Sequence, residues 1–398
     1  MKIGIVLPGI LKYSETFFNY KIKGLIESGN EVLLFTADKN SENFPYRHFR
    51  AYPVFPGKKI KQAFFFVYVM IMTLIKCPGR FLRLFNLERK QGTSFTESLK
   101  IIYINAHILN HNIDWLHFGF ATMALKRENT AKAMGAFMGV SFRGYDINIY
   151  PLKNPGCYKK LWESVDKVHT ISGYLHKKAV RLGLPENVPY EKITPAIDLN
   201  RFKFKNNNGR LNKKLKILTI GRLNWIKDYE TAISAMKLLK DNEINFEYNI
   251  IGSGKEAERL KFAVYQSGLE NEINFHGVKS QEEIYVYLSS SDIYLQTSIQ
   301  EGFCVSVLEA QASGLLCVVS DADGLKENVI DKVTGWIVSK RNPGAFAEKI
   351  SDILKMSESE REVVIKNARE RIENEFRIES QNKLFKNFFE NKPAHIIN

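Results

Sequence analysis

The sequence is poor in cysteine. Its 398 residues include only four cysteines, and no two of them form a CxxC pair. Scattered single cysteines argue against a zinc site and against a disulfide framework, and they are typical of a reducing compartment. We therefore expect a cytoplasmic protein. The four cysteines are Cys77, Cys157, Cys304 and Cys317.

Long hydrophobic runs are also missing. The longest one, AFFFVYVMIMTLI at 63–75, has 13 residues, whereas a helix needs about 20 to cross a bilayer. The N-terminus, MKIGIVLPGI, has the pattern of a strand and not that of a secretory leader. The sequence therefore predicts neither a spanning helix nor a leader.

Basic residues flank that apolar run within residues 57–90. An apolar helix with cationic flanks can lie among the headgroups of anionic lipids. The alternative is a helix that is buried against a sheet and has solvated ends. An anionic membrane surface is thus a candidate partner, and peripheral contact with the inner face of the plasma membrane is an alternative to a purely cytoplasmic location.

Acidic residues are scarce in the first half of the chain. Residues 1–200 contain 28 Lys and Arg against 15 Asp and Glu, whereas residues 201–398 contain 29 against 28. The first half therefore either meets a polyanion or has a solubilising surface. It lacks alternating aromatic and basic strand residues and a recognisable reading helix, so we expect no nucleic-acid partner.

Short apolar segments alternate with helical patterns in each half. This rhythm predicts two doubly wound parallel sheets, joined by a Pro- and Asn-rich linker at 183–213, with a ligand cleft between the units. The first loop has no GxGxxG, which argues against a dinucleotide site. Strands are predicted at 2–7, 31–36, 114–118, 137–142, 168–171, 215–221, 246–251, 273–276, 292–296 and 316–320.

Residues 290–314 hold two well-separated acids. The pattern predicts a strand, a loop and a helix that opens at Gly302 and Phe303, with Glu301 at its mouth and Glu309 eight residues later. On one continuous helix the two carboxylates would lie about 12 Å apart, whereas glycoside hydrolysis needs about 5 to 9.5 Å. The acids could instead hold the two ends of a nucleoside diphosphate sugar whose pyrophosphate faces the helix N-terminus. The alternative is a surface helix with two ordinary glutamates.

Charged residues also follow two predicted strands. Arg222 and Lys227 come after strand 215–221 and suit phosphate recognition. Arg143 and Asp146 come after strand 137–142. Ligands of open α/β sheets bind beyond the carboxyl ends of strands, so both pairs are candidate site residues.

Four long runs in the second half resemble the retaining, two-domain glycosyltransferases of family 4, which have the GT-B fold. They are ILTIGRLNWIKDYETAISA, IIGSGKEAERL, INFHGVKSQEEIYVYLSSSDIYLQTSIQEGFCVSVLEAQASG and VVSDADGLKENVIDKVTGWIV. The first half agrees at YSETF, LHFG, SFRGYDI and IDLNRF. SETF and SFRGYDI resemble the branch that builds bacterial exopolysaccharides, including colanic-acid-type enzymes.

The resemblance implies an α/β fold with two Rossmann-like domains that face each other across a cleft. The implied domains are an acceptor-side domain at 1–195, a nucleotide-sugar domain at 196–375 and a helix at 376–398 that crosses back to the first domain. Glu301, Arg222, Lys227 and Asp146 are implied to be catalytic. The donor is implied to contact Glu309, Gly302, Phe303, Cys304, Gly221 and Val278, and the acceptor side Ser14, Glu15, Thr16 and Arg143.

The implied activity is transfer of a hexose, with retention, from a UDP- or GDP-linked sugar to a saccharide or polyprenyl-linked oligosaccharide in surface polysaccharide biosynthesis. The alternatives are a non-catalytic nucleotide-sugar-binding protein and a family 4 enzyme that makes a glycolipid or small glycoside. We expect no metal and no cofactor. Asp321-Ala322-Asp323 matches the DxD metal motif of another glycosyltransferase class, but Asp323-Gly324 also matches a tight turn.

The chain departs from the family pattern at four positions. Cys304 replaces the usual glycine of EGFG, and Arg143 stands where many relatives have histidine. Ala196 replaces a glycine before Ile-Asp, and Asp323 replaces the first residue of a glycine pair. Both glutamates, Arg222 and Lys227 are present, so activity is expected.

Overall fold

A computed structural model describes residues 1–9, 16–37, 46–202, 204 and 208–393. The chain divides into two compact units, one formed by residues 1–193 with 381–398 and the other by residues 194–380. Each unit has its own sheet, which is parallel throughout. The two sheets are the α/β architecture that the strand–helix rhythm predicts.

The first unit is built on a seven-stranded sheet with the order β3-β2-β1-β4-β5-β6-β7. Its inner strands are buried on both faces, as parallel strands between helices must be. The strands are β1 (Lys2–Leu7), β2 (Glu31–Thr36), β3 (His48–Arg50), β4 (Trp115–Phe118), β5 (Phe137–Phe142), β6 (Lys167–Thr170) and β7 (Tyr190–Lys192). Strand β7 lies inside the segment predicted to be a linker, so that prediction is wrong there.

Nine helices of the first unit lie in the described part of the chain before its last strand. They are α1 (Thr16–Glu27), α2 (Lys59–Lys76), α3 (Pro78–Lys90), α4 (Phe95–Leu109), α5 (Thr130–Met134), α6 (Tyr145–Asn148), α7 (Tyr150–Lys153), α8 (Lys159–Trp162) and α9 (Gly173–Arg181). Ser94 and Ser172 cap α4 and α9 by accepting backbone hydrogen bonds, which compensates for amides that have no partner inside the helix.

The second unit is built on a six-stranded sheet with the order β10-β9-β8-β11-β12-β13. The strands are β8 (Leu215–Ile220), β9 (Phe246–Ile251), β10 (Ile273–Phe275), β11 (Ile293–Gln296), β12 (Leu316–Ser320) and β13 (Trp336–Val338). Their helices are α10 (Tyr229–Asp241), α11 (Ala257–Gln266), α12 (Gln281–Ser290), α13 (Val305–Ser313), α14 (Leu325–Asn328), α15 (Pro343–Lys355) and α16 (Glu358–Glu375).

The last helix, α17 (Ile378–Glu390), ends in the core of the first unit. Phe385, Phe388 and Phe389 are buried there. The indole of Trp115 donates a 3.0 Å hydrogen bond to the carbonyl of Phe389, and Lys167 donates one of 2.8 Å to the carbonyl of Phe388. The expectation of a C-terminal helix that returns to the first domain is therefore confirmed.

Strand order reverses once in each sheet, between β1 and β4 in the first unit and between β8 and β11 in the second. Loops at such a switch point diverge to opposite faces of the sheet and leave a crevice at the carboxyl ends of the strands, where ligands of this fold class bind. The loops that follow β8 and β11 begin at Gly221 and Thr297. They contain both predicted phosphate-binding cations and Glu301.

In the part of the chain that the structure describes, no single helix is long and apolar enough to cross a membrane. Helices α2 and α3 together have the length and the apolar composition of a membrane span, but the chain is bent by 115° at the break between them.

Candidate active site

The loop after β8 is held by close backbone contacts with the loop after β9. The amide of Gly221 donates to the carbonyl of Ile251 at 2.9 Å. A Cβ at Gly252 would lie 2.0 Å from the carbonyl oxygen of Gly221, and the φ of Gly252 is +139°. The loop that carries the two cations can approach this closely because residue 252 is a glycine.

Lys227 and Glu301 form an ion pair across the switch point. The Lys227 ammonium donates to Oε1 of Glu301 at 2.5 Å, and Ser298 Oγ donates to the same oxygen at 2.9 Å. The two charged side chains expose only 16% and 12% of their surface. Burial alone would lower the pKa of Lys227, but the carboxylate of Glu301 outweighs it and the pKa is raised.

Arg222 lies on the same loop and is exposed. Its positive charge acts to lower the pKa of Lys227, against the larger effect of Glu301. Among the residues that the structure describes, no hydrogen bond or ion pair engages the Arg222 guanidinium. It is therefore available to an anion beside Lys227.

The helix mouth differs from the prediction. Helix α13 begins at Val305, three residues later than predicted, and Cys304 is its N-cap. The Cys304 amide donates to Oδ1 of Asn328 at 3.0 Å, and the Asn328 amide group donates back to the Cys304 carbonyl at 3.0 Å. This reciprocal pair satisfies the Cys304 backbone before any ligand arrives. The separation of about 12 Å assumed a continuous helix and does not apply.

The cysteine itself fits this position without strain. Its φ is −111°, which any L-residue adopts, so glycine is not required. The thiol is buried and lies 3.3 Å from Ser306 Oγ, and burial raises its pKa. The departure from the family glycine therefore leaves the backbone of the helix mouth intact.

Gly302 and Phe303 form an extended approach to the helix. The Phe303 ring is buried, with its centroid 5.9 Å from that of Phe376, so its side chain has a packing role. A Cβ at Gly324 would lie 2.5 Å from the Gly302 carbonyl. The turn that contains Asp323 thus packs directly on the backbone of Glu301 and Gly302.

Glu309 lies on α13 and is half-buried. Burial raises the pKa of Glu309 to about 7. No hydrogen bond or ion pair to its carboxylate is found within the described residues. The carboxylate is therefore open to a ligand that donates a hydrogen bond to it. Val278, the last of the residues predicted to contact the donor, follows β10 and is 70% exposed.

In the first unit, Asp146 is buried and organises its loop. Its carboxylate accepts from the amides of Gly144 at 2.8 Å, Arg143 at 3.0 Å and Ala121 at 3.1 Å. Burial raises its pKa, against the effect of these three bonds. The structure therefore gives Asp146 a positioning role that the sequence did not predict, and its predicted catalytic role remains a prediction.

Arg143 brings two predicted acceptor-side motifs together. Its guanidinium lies 3.9 Å from the ring centroid of Phe17 and 4.5 Å from that of Phe18, both in α1. SFRGYDI thus contacts the helix that SETF begins. Ser14 and Glu15 lie outside the described residues. Thr16 is the first residue of α1, and its side chain also lies outside them.

The DxD sequence has structural contacts. Oδ1 of Asp321 accepts from the Lys340 amide at 2.9 Å. Over the described ranges, no group of three or more His, Cys, Asp or Glu could hold a metal ion. The carboxylate of Asp321 joins two segments of the chain, and Asp323 and Gly324 lie in a turn, as predicted.

Sequence reasoning missed the polar residues that anchor this region. The Tyr294 hydroxyl oxygen lies 2.7 Å from Ser306 Oγ and accepts a 3.3 Å hydrogen bond from the Ile220 amide, and it thereby ties the end of β8 to the first turn of α13. Asn328 was also missed. The sequence offered one signal for these anchors. The predicted buried strand at 292–296 contains a tyrosine and a glutamine, and a buried polar group must find a hydrogen-bond partner.

A hollow of about 350 Å³ lies beside this region. It is lined by Trp225, Asp228 and Arg259, among others, and Arg222, Lys227, Glu301 and Glu309 do not line it. We therefore identify the candidate site by its charges and hydrogen bonds and not by this hollow.

The model of the family "Glycosyl transferases group 1" matches residues 200–371. The amylovoran biosynthesis glycosyltransferase AmsK of Erwinia amylovora is 30% identical over 321 residues, which cover 77% of each chain. The putative colanic acid biosynthesis glycosyltransferase WcaL of Escherichia coli is 27% identical over 271 residues, covering 65% of this chain and 66% of the relative.

Solved structures agree on the fold. Sucrose-phosphate synthase from Thermosynechococcus elongatus aligns with a TM-score of 0.75 at 18% identity, covering 98% of each chain. Anabaena HepE in complex with UDP and glucose aligns with a TM-score of 0.72 at 14% identity, covering 98% of this chain and 99% of HepE. The two Rossmann-like sheets and these comparisons show a GT-B glycosyltransferase. The chain belongs to the glycosyl transferases group 1 family.

Proposed function

We propose that this protein is a retaining hexosyltransferase of surface polysaccharide biosynthesis. Its donor is a UDP- or GDP-linked sugar, and its acceptor is a saccharide or a polyprenyl-linked oligosaccharide. The observation that carries the proposal is the buried Lys227–Glu301 pair with the exposed Arg222 beside it. The names of the relatives AmsK and WcaL support the polysaccharide role.

The donor would lie along the second unit from Glu301 to Glu309. Arg222 and Lys227 would bind the pyrophosphate, together with the first amides of α13, those of Val305 and Ser306, which have no carbonyl partners within the helix. Glu309 would accept from ribose hydroxyls. Glu301 lies at the sugar end, and its bond to Lys227 links the sugar and phosphate positions.

In the transfer step, the bond between the anomeric carbon and the phosphate oxygen breaks, and the acceptor oxygen bonds to that carbon from the same face. The acceptor proton passes to the departing phosphate oxygen. The two cations and the helix terminus stabilise the negative charge that develops on the pyrophosphate. Arg143 and Asp146 belong to the acceptor side of this proposal.

The protein itself would supply the positive charge that neutralises the pyrophosphate, so we propose that no metal is needed. EDTA should leave the rate unchanged, and a rate that falls with EDTA and returns with Mg²⁺ or Mn²⁺ would contradict this part.

The test starts with thermal stabilisation by a panel of UDP-, GDP- and ADP-sugars. The stabilising donor is then incubated with oligosaccharide and polyprenyl-diphosphate-saccharide acceptors. The product's anomeric coupling constant in NMR reports retention or inversion. Donor binding without transfer to any acceptor would instead favour a non-catalytic nucleotide-sugar-binding protein, and transfer only to lipid or small alcohols would favour glycolipid or small-glycoside synthesis.

A further inference from the structure

Helix α2 presents an apolar face to solvent. Ile60 is 88% exposed, Phe64 79% and Ile75 70%. Monomeric soluble proteins rarely expose contiguous apolar surface of this kind unless it binds a partner. The seven exposed large apolar residues of the helix are Ile60, Phe64, Val67, Tyr68, Ile71, Leu74 and Ile75.

These seven residues, called here the α2 stripe, lie on one side of the helix. At 100° per residue they fall within an arc of about 120°. The buried residues Val69 and Thr73 lie on the opposite side, and the Phe66 ring stacks on Tyr103 of α4 at 5.3 Å between centroids. The helix is thus packed on its own fold by one face only, and the α2 stripe points away from that fold.

The chain segment that carries the stripe is rich in positive charge and contains no acidic residue. Residues 51–87 contain six Lys and Arg and no Asp or Glu. Lys58, Lys59 and Lys61 are exposed at the start of α2, and Lys76 at its end. Lysines at both ends of an apolar face can reach phosphate headgroups while the face enters the acyl region.

We infer that the α2 stripe docks the protein on an anionic bilayer surface, with α2 lying in the plane of the headgroups. The stripe runs for about 22 Å along the helix. The 115° bend between α2 and α3 is compatible with a helix that lies flat. This inference does not depend on the proposed sugar transfer, because it is tested by binding alone.

A second copy of the chain is the competing occupant. The spacing of Ile60, Phe64, Val67, Ile71 and Leu74 alternates by four and three, which also suits a coiled pair of helices. In such a pair, lysines from both copies would meet without an acid from this segment to neutralise them. Anionic lipid supplies that missing charge, so charge complementarity favours the membrane.

The decisive measurement is co-sedimentation of the full chain with vesicles. We expect binding to phosphatidylglycerol–phosphatidylcholine (1:1) vesicles that weakens as salt rises, and at least tenfold weaker binding to phosphatidylcholine alone. The double variant Phe64→Ser/Ile71→Ser should lose at least tenfold in affinity for the anionic vesicles. Both residues are exposed, so folding is expected to persist, and circular dichroism verifies it.

A matched control exists on the second unit. Phe262 and Tyr265 of α11 are 58% and 67% exposed, and Phe262→Ser/Tyr265→Ser should bind vesicles like the wild type. Lys58→Glu/Lys59→Glu/Lys61→Glu should lose binding while the α2 stripe stays intact. An Ile71→Trp variant should shift its fluorescence to the blue on anionic vesicles.

Unchanged vesicle binding in the folded Phe64→Ser/Ile71→Ser variant would overturn the inference. The absence of wild-type binding to the anionic vesicles would also overturn it. If analytical ultracentrifugation then shows a dimer that the same variant dissociates, a second copy covers the stripe.

Discussion

The ammonium of Lys227 donates a 2.5 Å hydrogen bond to Oε1 of Glu301 across 74 residues of sequence. Each residue lies on the loop after one of two hydrogen-bonded neighbouring strands, β8 and β11. The sheet's single reversal of order brings the two loops together, so the site exists only because this topology places the two strands side by side.

Lys227→Ala and Glu301→Ala should each lower transfer by 10² to 10³, which corresponds to about 3 kcal/mol of transition-state stabilisation. In the proposed donor pose, Lys227→Ala removes a positive charge at the leaving phosphate, and Glu301→Ala removes a group at the sugar end. Initial rates with the identified donor, alongside thermal melts, separate this effect from unfolding. Lys237→Ala is the control because its pair with Asp241 is exposed. Wild-type turnover in both site variants would end the assignment.

Donor binding should depend on pH through Glu309. Burial raises its pKa to about 7, and a ribose hydroxyl donates best to the ionised carboxylate. As pH falls below about 7 the ionised fraction falls, so the Kd for UDP or GDP should rise by up to tenfold per unit. Calorimetric titrations between pH 5.5 and 8.5 measure this. The Glu309→Gln variant should bind UDP or GDP weakly, and its Kd should depend less on pH than that of the wild type. If the Kd of the variant depends on pH as strongly as that of the wild type, Glu309 is not the source of the pH dependence.

Gly324→Ala should impair activity although residue 324 has no proposed contact with the substrate. The added methyl would lie 2.5 Å from the Gly302 carbonyl and 2.6 Å from that of Glu301. The loop must move, which we expect to cost about 1 to 3 kcal/mol in stability and at least tenfold in kcat. Gly344→Ala is the control because its Cβ would meet only Asn342 Oδ1, at 3.6 Å. Equal kcat values for the two variants would refute the steric argument.

Buried histidines should make the protein sensitive to acid. His107 lies near Arg127 and His111, and burial lowers its pKa to about 3. Between about pH 6.5 and 3 the unfolded chain therefore binds a proton that the folded chain does not, and the free energy of unfolding falls by about 1.4 kcal/mol per unit. His107→Phe should reduce the slope of urea-derived stability against pH by about one proton. Above pH 7.5 the two slopes should agree, and identical slopes at all pH values would contradict the prediction.

Lys21 should reduce stability at neutral pH. It is fully buried, 2.9 Å from His117 Nε2 and 4.4 Å from the Phe385 ring centroid. Burial, and then the charge of Arg143, lowers its pKa well below the usual value. The unfolded chain thus binds a proton more readily up to about pH 10.5, so stability rises with pH between the folded pKa and that value.

Lys21→Met keeps the volume and removes the charge. It should raise the free energy of unfolding at pH 7, because the folded variant no longer has to bury or deprotonate an ammonium group. The exposed Lys23→Met on the same helix should have little effect. A lower melting temperature for Lys21→Met than for wild type would show that the bond to His117 outweighs the burial cost.

The strand–helix rhythm could be predicted because periodicity is local. All ten predicted strands are present, with bounds that differ by at most a residue. Strands β3, β7 and β13 were not predicted, because three residues carry little pattern, although β10, which is equally short in the structure, was predicted at 273–276. The helix start at Val305 was missed because a distant side chain, Asn328, caps the preceding backbone.

The fold class, the two sheets and the residue types of the proposed donor site could be predicted from the sequence, because they depend on hydrophobic periodicity and on motifs of fixed spacing. Which of those residues meet is known only from the folded structure. It paired Lys227 with Glu301, turned Asp146 toward backbone amides and left the α2 stripe uncovered. Contacts between distant segments depend on strand order and side-chain packing, and no local pattern encodes either.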